Sequence, residues 1–247
     1  MMKKWFGLTT GLEERLRFIT GRFHETFGES LSSLVLFGSA VGGEWHPDRS
    51  DINLVVEFDG EDAAFLDRAV ALKRTLRKHN ISCQWFTRGS LARSADVFPV
   101  EILDLILRRR ILLGEDPLAD AVVFRPDLRL ACERQAREKL LALRSAYAQF
   151  AGEPRELRHI LIKSATAWGA ILQAILYLSD SPIPSDGRER ALAVGERLKC
   201  DTGGFQALFE WRKAPSGGDT AFLMQLYRSY LRSVCALVDA LDSWENV

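Results

Sequence analysis

The chain has no net charge and few cysteines, and both absences exclude classes of function. Its 247 residues contain 33 Lys and Arg against 33 Asp and Glu. It therefore lacks the basic field of a dedicated nucleic-acid binder, although a local basic patch and a nucleic-acid partner stay open. The four cysteines form no Cys-x-x-Cys pair, which argues against a zinc site or a disulfide framework. We expect reduced cysteines and a cytoplasmic protein.

Long apolar runs, internal repeats and low-complexity segments are also missing. The most apolar run, Ala167–Leu178, is too short to span a bilayer and predicts a buried helix. The first ten residues lack the apolar centre of a signal peptide. We therefore expect no membrane partner. A hydrophobic content of 47% with 27% charged residues is typical of folded domains rather than disorder.

The pattern up to about residue 118 predicts a small mixed sheet covered by helices. Leu12, Leu16, Ile19 and Phe23 recur at helical spacing, which predicts a helix over Leu12–Phe27. Three β-rich runs predict strands: Ser33–Phe37, Ile52–Phe58 and Ile81–Thr87. A further helix, marked by Phe65 to Leu76, ends at His79-Asn80. This order of elements is typical of an α+β domain.

Strand patterns stop near residue 120, and helical spacing continues to the end of the chain. Five helices are predicted to begin near Pro126, Glu156, Arg188, Phe205 and Phe222. They predict an antiparallel helical bundle. The predicted domains are residues 1–118, an α/β domain, and residues 119–247, an all-α domain.

The candidate chemistry lies between the first two predicted strands. The first strand ends in Gly38-Ser39, and after eleven intervening residues the second begins with Asp51-Ile52-Asn53. A glycine lets backbone N–H groups close on an anion, and a serine hydroxyl adds a donor. Residues 51 and 53 share one face of a strand, where oxygen ligands can hold a divalent metal against phosphate.

This pattern resembles the DNA polymerase β-type nucleotidyltransferase superfamily, whose signature is Gly-Ser, about ten residues, then Asp-x-Asp on a strand. The stretch from Phe98 to Asp116, which ends in Leu-Leu-Gly-Glu-Asp, is similar to a segment of bacterial members. The helical half is similar to the C-terminal domain of aminoglycoside nucleotidyltransferases. The resemblance implies a nucleoside triphosphate, two Mg²⁺ on three carboxylates, and transfer of a nucleoside monophosphate to a hydroxyl.

Residue by residue, the resemblance implies that Gly38, Ser39 and Ser50 bind the nucleotide. Asp51 takes the place of the first catalytic and metal-binding carboxylate. Asn53 takes the place of the second, where it offers a neutral oxygen but no charge.

The third carboxylate belongs on the strand at 81–87, which contains no acid. Ser82 or Gln84 stands at the candidate positions. The stretch Val100–Leu105 mimics the third-carboxylate strand through Glu101 and Asp104, but it better matches the later segment.

Other charged residues are weaker candidates. Glu57 shares the face of Asp51 but lies too far along the strand. Glu44 and Asp48 belong to the loop between the strands, where solvated charges are the ordinary interpretation. Arg108–Arg110 could bind phosphate or nucleic acid, but such a run is more often the solvated face of a helix.

Two functions remain. The first is a catalytically degenerate nucleotidyltransferase-fold protein, a pseudoenzyme that binds a nucleoside triphosphate and acts as a binding or regulatory module. The alternative is an active Mg²⁺-dependent nucleotidyltransferase that modifies a hydroxyl of a small molecule or macromolecule. A small-molecule or protein partner and a homo-oligomer are both compatible with either function. One acid in place of three favours the first.

Overall fold

The computed structural model describes residues 10–41, 51–213, 215 and 219–244. The chain divides into two units by its internal packing. The first comprises residues 1–97 and 102–123, and the second comprises residues 98–101 and 124–247. The division near residue 123 lies a few residues beyond the predicted boundary at residue 118.

A four-stranded mixed sheet forms the centre of the first unit. Its strands are β1 (Leu31–Phe37), β2 (Ile52–Phe58), β3 (Ile81–Thr87) and β4 (Arg109–Gly114). They lie in the order β3-β2-β1-β4. β1 is antiparallel to β2 and β4, whereas β2 and β3 are parallel. The first three strands confirm the predicted sheet. The interpretation of Arg108–Arg110 as a helix face is wrong, because Arg109 and Arg110 begin β4.

Helices cover both faces of this sheet. They are α1 (Thr10–Phe27), α2 (Asp62–Ala69), α3 (Lys73–Lys78), α4 (Ser90–Arg93) and α5 (Pro99–Leu107). Side chains of α1 and α2 pack on the face that carries Leu34, Leu36 and Leu54. The opposite face, with Val35 and Val55, packs against α4 and α5. β2 is therefore buried on both sides, which explains its continuous apolar sequence.

Stacked aromatic rings join the first helices to the sheet. The ring of Phe65 lies between those of Phe27 and Phe58, with both centroid distances at 4.0 Å and the planes nearly parallel. Trp85 contacts the same cluster, 6.0 Å from Phe65. Phe65 is buried, whereas its neighbour Leu66 is exposed. This single ring therefore connects α1, α2 and β2.

The second unit is a set of long helices, as predicted. They are α6 (Arg125–Phe150), α7 (Pro154–Leu178), α8 (Gly187–Leu198), α9 (Gly203–Lys213) and α10 (Thr220–Asp242). α9 and α10 approach closely at Gly204, where a Cβ would lie 2.3 Å from the carbonyl oxygen of Ser229. The Gly204 N–H donates to Ser233 Oγ at 2.9 Å. Only a glycine fits this contact.

α7 is the one helix, among the residues that the structure describes, that is long and apolar enough to span a membrane. Half of its most apolar stretch is buried inside the structure. Trp168 and the run from Ile171 to Leu176 are buried. This burial is typical of a core helix.

We expect Phe65→Ala to lower the free energy of unfolding by about 3–5 kcal/mol, because it removes a ring stacked on both sides. Leu66→Ala, one position along the same helix, is the matched control, and its cost should stay below about 1 kcal/mol because Leu66 is exposed. Urea denaturation followed by circular dichroism measures both. Equal losses in the two variants would contradict the central place of the aromatic stack.

Candidate functional site

The end of β1 lies directly beside the beginning of β2. Phe37 pairs with Asn53 in the antiparallel register, and the chain then turns through Gly38 in a single 3-10 turn, Gly38–Ala40. Gly38 has a left-handed φ of 76°, and a Cβ there would lie 3.3 Å from Asn53 Nδ2. The position therefore favours glycine for its conformation and leaves little space beside the amide of Asn53. Gly38 and Asn53 are therefore adjacent in the structure.

Two of the predicted site residues lie wholly or partly outside the described residues. These are Ser50 and the side chain of Ser39, so their predicted roles as nucleotide ligands stay predictions. The loop candidates Glu44 and Asp48 also lie outside the described residues.

Asp51 is held by a residue that the sequence analysis did not single out for the site. Asn80 Nδ2 donates a hydrogen bond to Asp51 Oδ1, and the carbonyl of Asn80 accepts the N–H of Ile52 at 2.9 Å. The amide must donate through nitrogen here, because an ionised carboxylate only accepts. Asn80 has a left-handed φ of 53°, a conformation that asparagine tolerates better than most residues. The turn between α3 and β3 therefore positions the predicted first carboxylate.

Neutral side chains occupy the place of the other two carboxylates. The parallel register sets Asn53 beside Ser82, whereas Gln84 pairs with Val55, one pleat further along. Ser82 is thus the β3 residue that corresponds to the third carboxylate. Among the described residues, no group of three or more His, Cys, Asp or Glu side chains could hold a metal ion. The set of Asp51, Asn53 and Ser82, with a single carboxylate, does not fit the binding of two Mg²⁺ ions.

Glu101 and Asp104 do not lie on a strand beside Asp51, because both belong to α5. Asp104 accepts a hydrogen bond from Arg108 Nε at 3.0 Å, and Glu101 accepts one from Gln135 at 3.1 Å, with both residues in the second unit. The mimicry of a third-carboxylate strand by Val100–Leu105 was therefore misleading. Helical i,i+4 spacing, which brings Asp104 to Arg108, explains these acids.

Arg109 is neutralised locally. It pairs with Phe37 at the start of β4, so it shares the face of Asn53, one strand beyond β1. Its guanidinium contacts the Asp116 carboxylate at 2.7 Å and donates to the carbonyl of Ile106. The bidentate contact between Arg109 and Asp116 fixes the segment after β4 to the first residue of that strand.

Glu57 is a buried carboxylate on the same sheet face. It lies six residues from Asp51, about 20 Å along a strand, which is too far to complete the site. Its side chain accepts the N–H of Gly89 at 2.7 Å, at the turn between β3 and α4. Burial raises the pKa of the Glu57 carboxyl, against the opposing effects of the Gly89 hydrogen bond and of Arg88. Glu57 therefore has a structural role.

A glycine turn that faces the first residues of a neighbouring strand, on a mixed sheet covered by helices, defines the nucleotidyltransferase class of fold. Residues 20–115 match the family model of the nucleotidyltransferase domain, a range that contains Gly38, Asp51 and Asn53. Residues 20–115 are therefore similar to the nucleotidyltransferase domain, and a helical region follows them.

A solved structure extends the likeness beyond this domain. Spectinomycin adenyltransferase AAD(9) from Enterococcus faecialis, crystallised with ATP and spectinomycin, matches with a TM-score of 0.59 at 11% identity. The match covers 94% of this chain and 99% of the adenyltransferase. It confirms the fold, including the similarity of the helical half to aminoglycoside nucleotidyltransferases. No curated protein sequence matches the chain.

The raised pKa of Glu57 predicts a pH dependence of stability. The folded state binds the Glu57 proton more tightly than the unfolded state, so this residue's contribution is lost as the pH rises from the unfolded pKa of about 4.3 through the folded pKa. Glu57→Gln removes the titration and keeps an oxygen for Gly89. We expect the free energy of unfolding of Glu57→Gln to rise relative to that of the wild type as the pH increases from about 4 to 7.

Glu57→Ala serves as the control for this prediction. It leaves the part-buried Gly89 N–H without an acceptor. Its free energy of unfolding should therefore lie about 1–3 kcal/mol below that of Glu57→Gln at every pH, because neither variant titrates at this position. Urea denaturation across this pH range measures both variants. A wild-type and Glu57→Gln difference that does not change with pH would contradict the assignment.

Proposed function

We propose that this protein binds a nucleoside triphosphate at the Gly38 turn. We propose also that it does not efficiently transfer the nucleoside monophosphate to an acceptor hydroxyl. One observation carries the proposal: Asp51 accepts a hydrogen bond from the Asn80 amide, and the places of the other two carboxylates are held by Asn53 and by Ser82, its neutral partner on β3. The similarity of residues 20–115 to the nucleotidyltransferase domain supports the nucleotide. The protein would then act as a binding or regulatory module.

The missing charge is what weakens catalysis in this proposal. Two Mg²⁺ ions close together repel each other, and carboxylates between them supply the compensating negative charge. Phosphoryl transfer depends on this positioning and charge stabilisation rather than on covalent chemistry by the protein. Asp51 has an oxygen already engaged by Asn80, which reduces its freedom to bridge metals. A single Mg²⁺ carried on the nucleotide phosphates is compatible with one carboxylate.

The adenyltransferase that shares this fold supports ATP as the first nucleotide to test, with a small molecule as the second partner. A cytoplasmic location belongs to the same proposal, since all four cysteines are free and reduced thiols are typical of that compartment.

Active Mg²⁺-dependent transfer to a hydroxyl is the alternative. The fold match over nearly the whole chain to an enzyme crystallised with ATP and spectinomycin is compatible with it. It requires additional carboxylates beside Asp51, and the candidates in the loop before β2 are Asp48 and Glu44. The two proposals therefore differ in metal dependence and in pyrophosphate release.

Calorimetric titration of ATP, with EDTA and then with MgCl₂, tests nucleotide binding. We expect binding in both buffers, with Kd values that differ by less than about tenfold, because a single carboxylate adds little to the affinity for Mg²⁺. Gly38→Ala should weaken binding by about tenfold, since its methyl group crowds the Asn53 amide. Gly28→Ala is the matched control, because Gly28 also has a left-handed φ, 52°, but faces open space.

Two outcomes would contradict the proposal, one from this titration and one from a pyrophosphate-release assay. If the wild type binds no ATP, GTP, CTP or UTP, nucleotide binding is wrong. If the wild type releases pyrophosphate from ATP rapidly and Asp51→Asn abolishes the release, the site is not degenerate and the alternative holds.

Restoring the carboxylates tests the cause of the degeneracy. Asn53→Asp should tighten Mg²⁺ binding by about tenfold through its added charge, without producing turnover. Asn53→Asp combined with Ser82→Asp adds the third acid on the adjacent strand and should produce pyrophosphate release. The control combines Asn53→Asp with Gln84→Asp, which places the acid one pleat away and should remain inactive. Equal Mg²⁺ binding by all variants would show that charge is not the missing element.

A further inference from the structure

A groove on the first unit lies outside the candidate site. It has a volume of about 330 Å³ and lies between α2, α3 and β3. Apolar side chains line its floor and walls, among them Leu66, Val70, Leu76 and Trp85. Trp85 points to the α1 and α2 side of the sheet, whereas Ser82 corresponds to the site on the opposite face. We call this feature the basic groove, because Lys73 and Arg77 also line it.

Two apolar side chains of the basic groove are exposed. Val70 is 65% exposed and Leu66 is 42% exposed, on neighbouring turns of one helical segment. Isolated exposed apolar residues are common, but several around one concave surface are typical of an interaction site. A groove this open does not enclose a small ligand, which normally loses most of its surface to its pocket.

Positive charge surrounds these apolar residues. The segment from residue 66 to residue 79 contains five Lys and Arg and one Asp, in a chain whose net charge is zero. Within the described part of the chain, none of the four cations of α3 forms a salt bridge. These cations are Lys73, Arg74, Arg77 and Lys78, and all four are exposed. Two of these cations, Lys73 and Arg77, line the basic groove, and neither forms a salt bridge with a described residue.

We propose that the basic groove binds an acidic amphipathic helix of a protein partner. The apolar face of such a helix would occupy the surface between Val70 and Trp85, with carboxylates at its margins facing Lys73 and Arg77. Helix-in-groove recognition uses this combination of apolar anchors and peripheral charge. Charge complementarity then selects acidic partners over neutral ones.

The same residues disfavour nucleic acid and membrane as the occupant. Single-stranded nucleic acid stacks on exposed aromatic faces, whereas the Trp85 ring packs on Phe23 and Phe65 and the other lining is aliphatic. A bilayer surface is broad and accepts a projecting apolar face, whereas this surface is concave. A helix ridge fits a groove of this shape.

Fluorescence anisotropy with a labelled probe tests the proposal on the full chain. The probe is a synthetic helical peptide with Leu at positions i, i+3, i+4 and i+7 and Glu on its other face. We expect saturable binding that weakens with added KCl and that exceeds binding of a scrambled peptide by at least about tenfold. Val70→Asp, and separately the pair Lys73→Glu and Arg77→Glu, should each weaken binding by about tenfold or more.

Matched controls come from the second unit. Leu130 on α6 has the same exposure as Val70, 65%, so Leu130→Asp makes the equivalent change away from the basic groove. Arg134→Glu on the same helix matches the charge reversals. Both controls should leave peptide binding unchanged, and circular dichroism verifies that every variant is folded.

Four results would overturn the proposal. The first is equal binding of the amphipathic and scrambled peptides. The second is equal loss of binding in the basic-groove variants and the controls. The third is binding of phosphatidylserine vesicles or of poly(U) RNA that the basic-groove substitutions remove while the peptide does not bind. A dimer that Val70→Asp dissociates would identify a second copy of the chain as the occupant and would equally contradict a separate acidic partner.

Discussion

The register of β2 between its two neighbours is the constraint on which the candidate site depends. β2 pairs antiparallel with β1 and parallel with β3. Its first residues therefore meet the last residues of β1 on one side and the first residues of β3 on the other. This places the Gly38 turn and Asn80 on either side of residues 51–53. A shift of one residue would turn Asn53 to the opposite face, and burial of β2 on both faces resists such a shift.

The buried environment of this sheet also explains which acids the face retains. Glu57 is buried, but the N–H of Gly89 and the nearby charge of Arg88 compensate its carboxylate. Arg109 is matched by Asp116 in the same way. Among the described residues, Glu57 and Arg109 on this face thus have local partners, and Asp51 accepts a hydrogen bond from the amide of Asn80. Only the Asp51 carboxylate is then left to supply negative charge to a metal from the described part of this face.

Much of the fold could be predicted from the sequence, because its signals are local. Strands β2 and β3 begin and end at the predicted residues, and their β-branched and aromatic runs are bounded by turn residues. β4 escaped prediction because it begins with arginines, and the Asp116 carboxylate that pairs with Arg109 lies seven residues away. The helix at Glu101 and Asp104 was compared with a strand because a short apolar run fits both periods.

The site could be predicted in part, for a different reason. Asn53 lies beside Gly38 because a motif of fixed spacing joins two adjacent strands. Asn80 was recognised only as a turn residue, since its contact with Asp51 crosses 29 positions and depends on its left-handed backbone. Ser82 and Gln84 were equivalent candidates until the parallel register separated them. Such contacts follow from pairing between strands, which sequence periodicity does not contain.

α3 and β3 connect the two surfaces on which the proposals depend. α3 contributes Lys73 and Arg77 to the basic groove, and the turn after this six-residue helix contains Asn80, which binds Asp51. Trp85 and its neighbour Gln84 project to opposite faces of the same strand. A partner in the basic groove would therefore contact the helix whose C-terminal turn orients the one carboxylate of the candidate site. If the domain regulates rather than transfers, this short segment provides a continuous physical connection between nucleotide and partner.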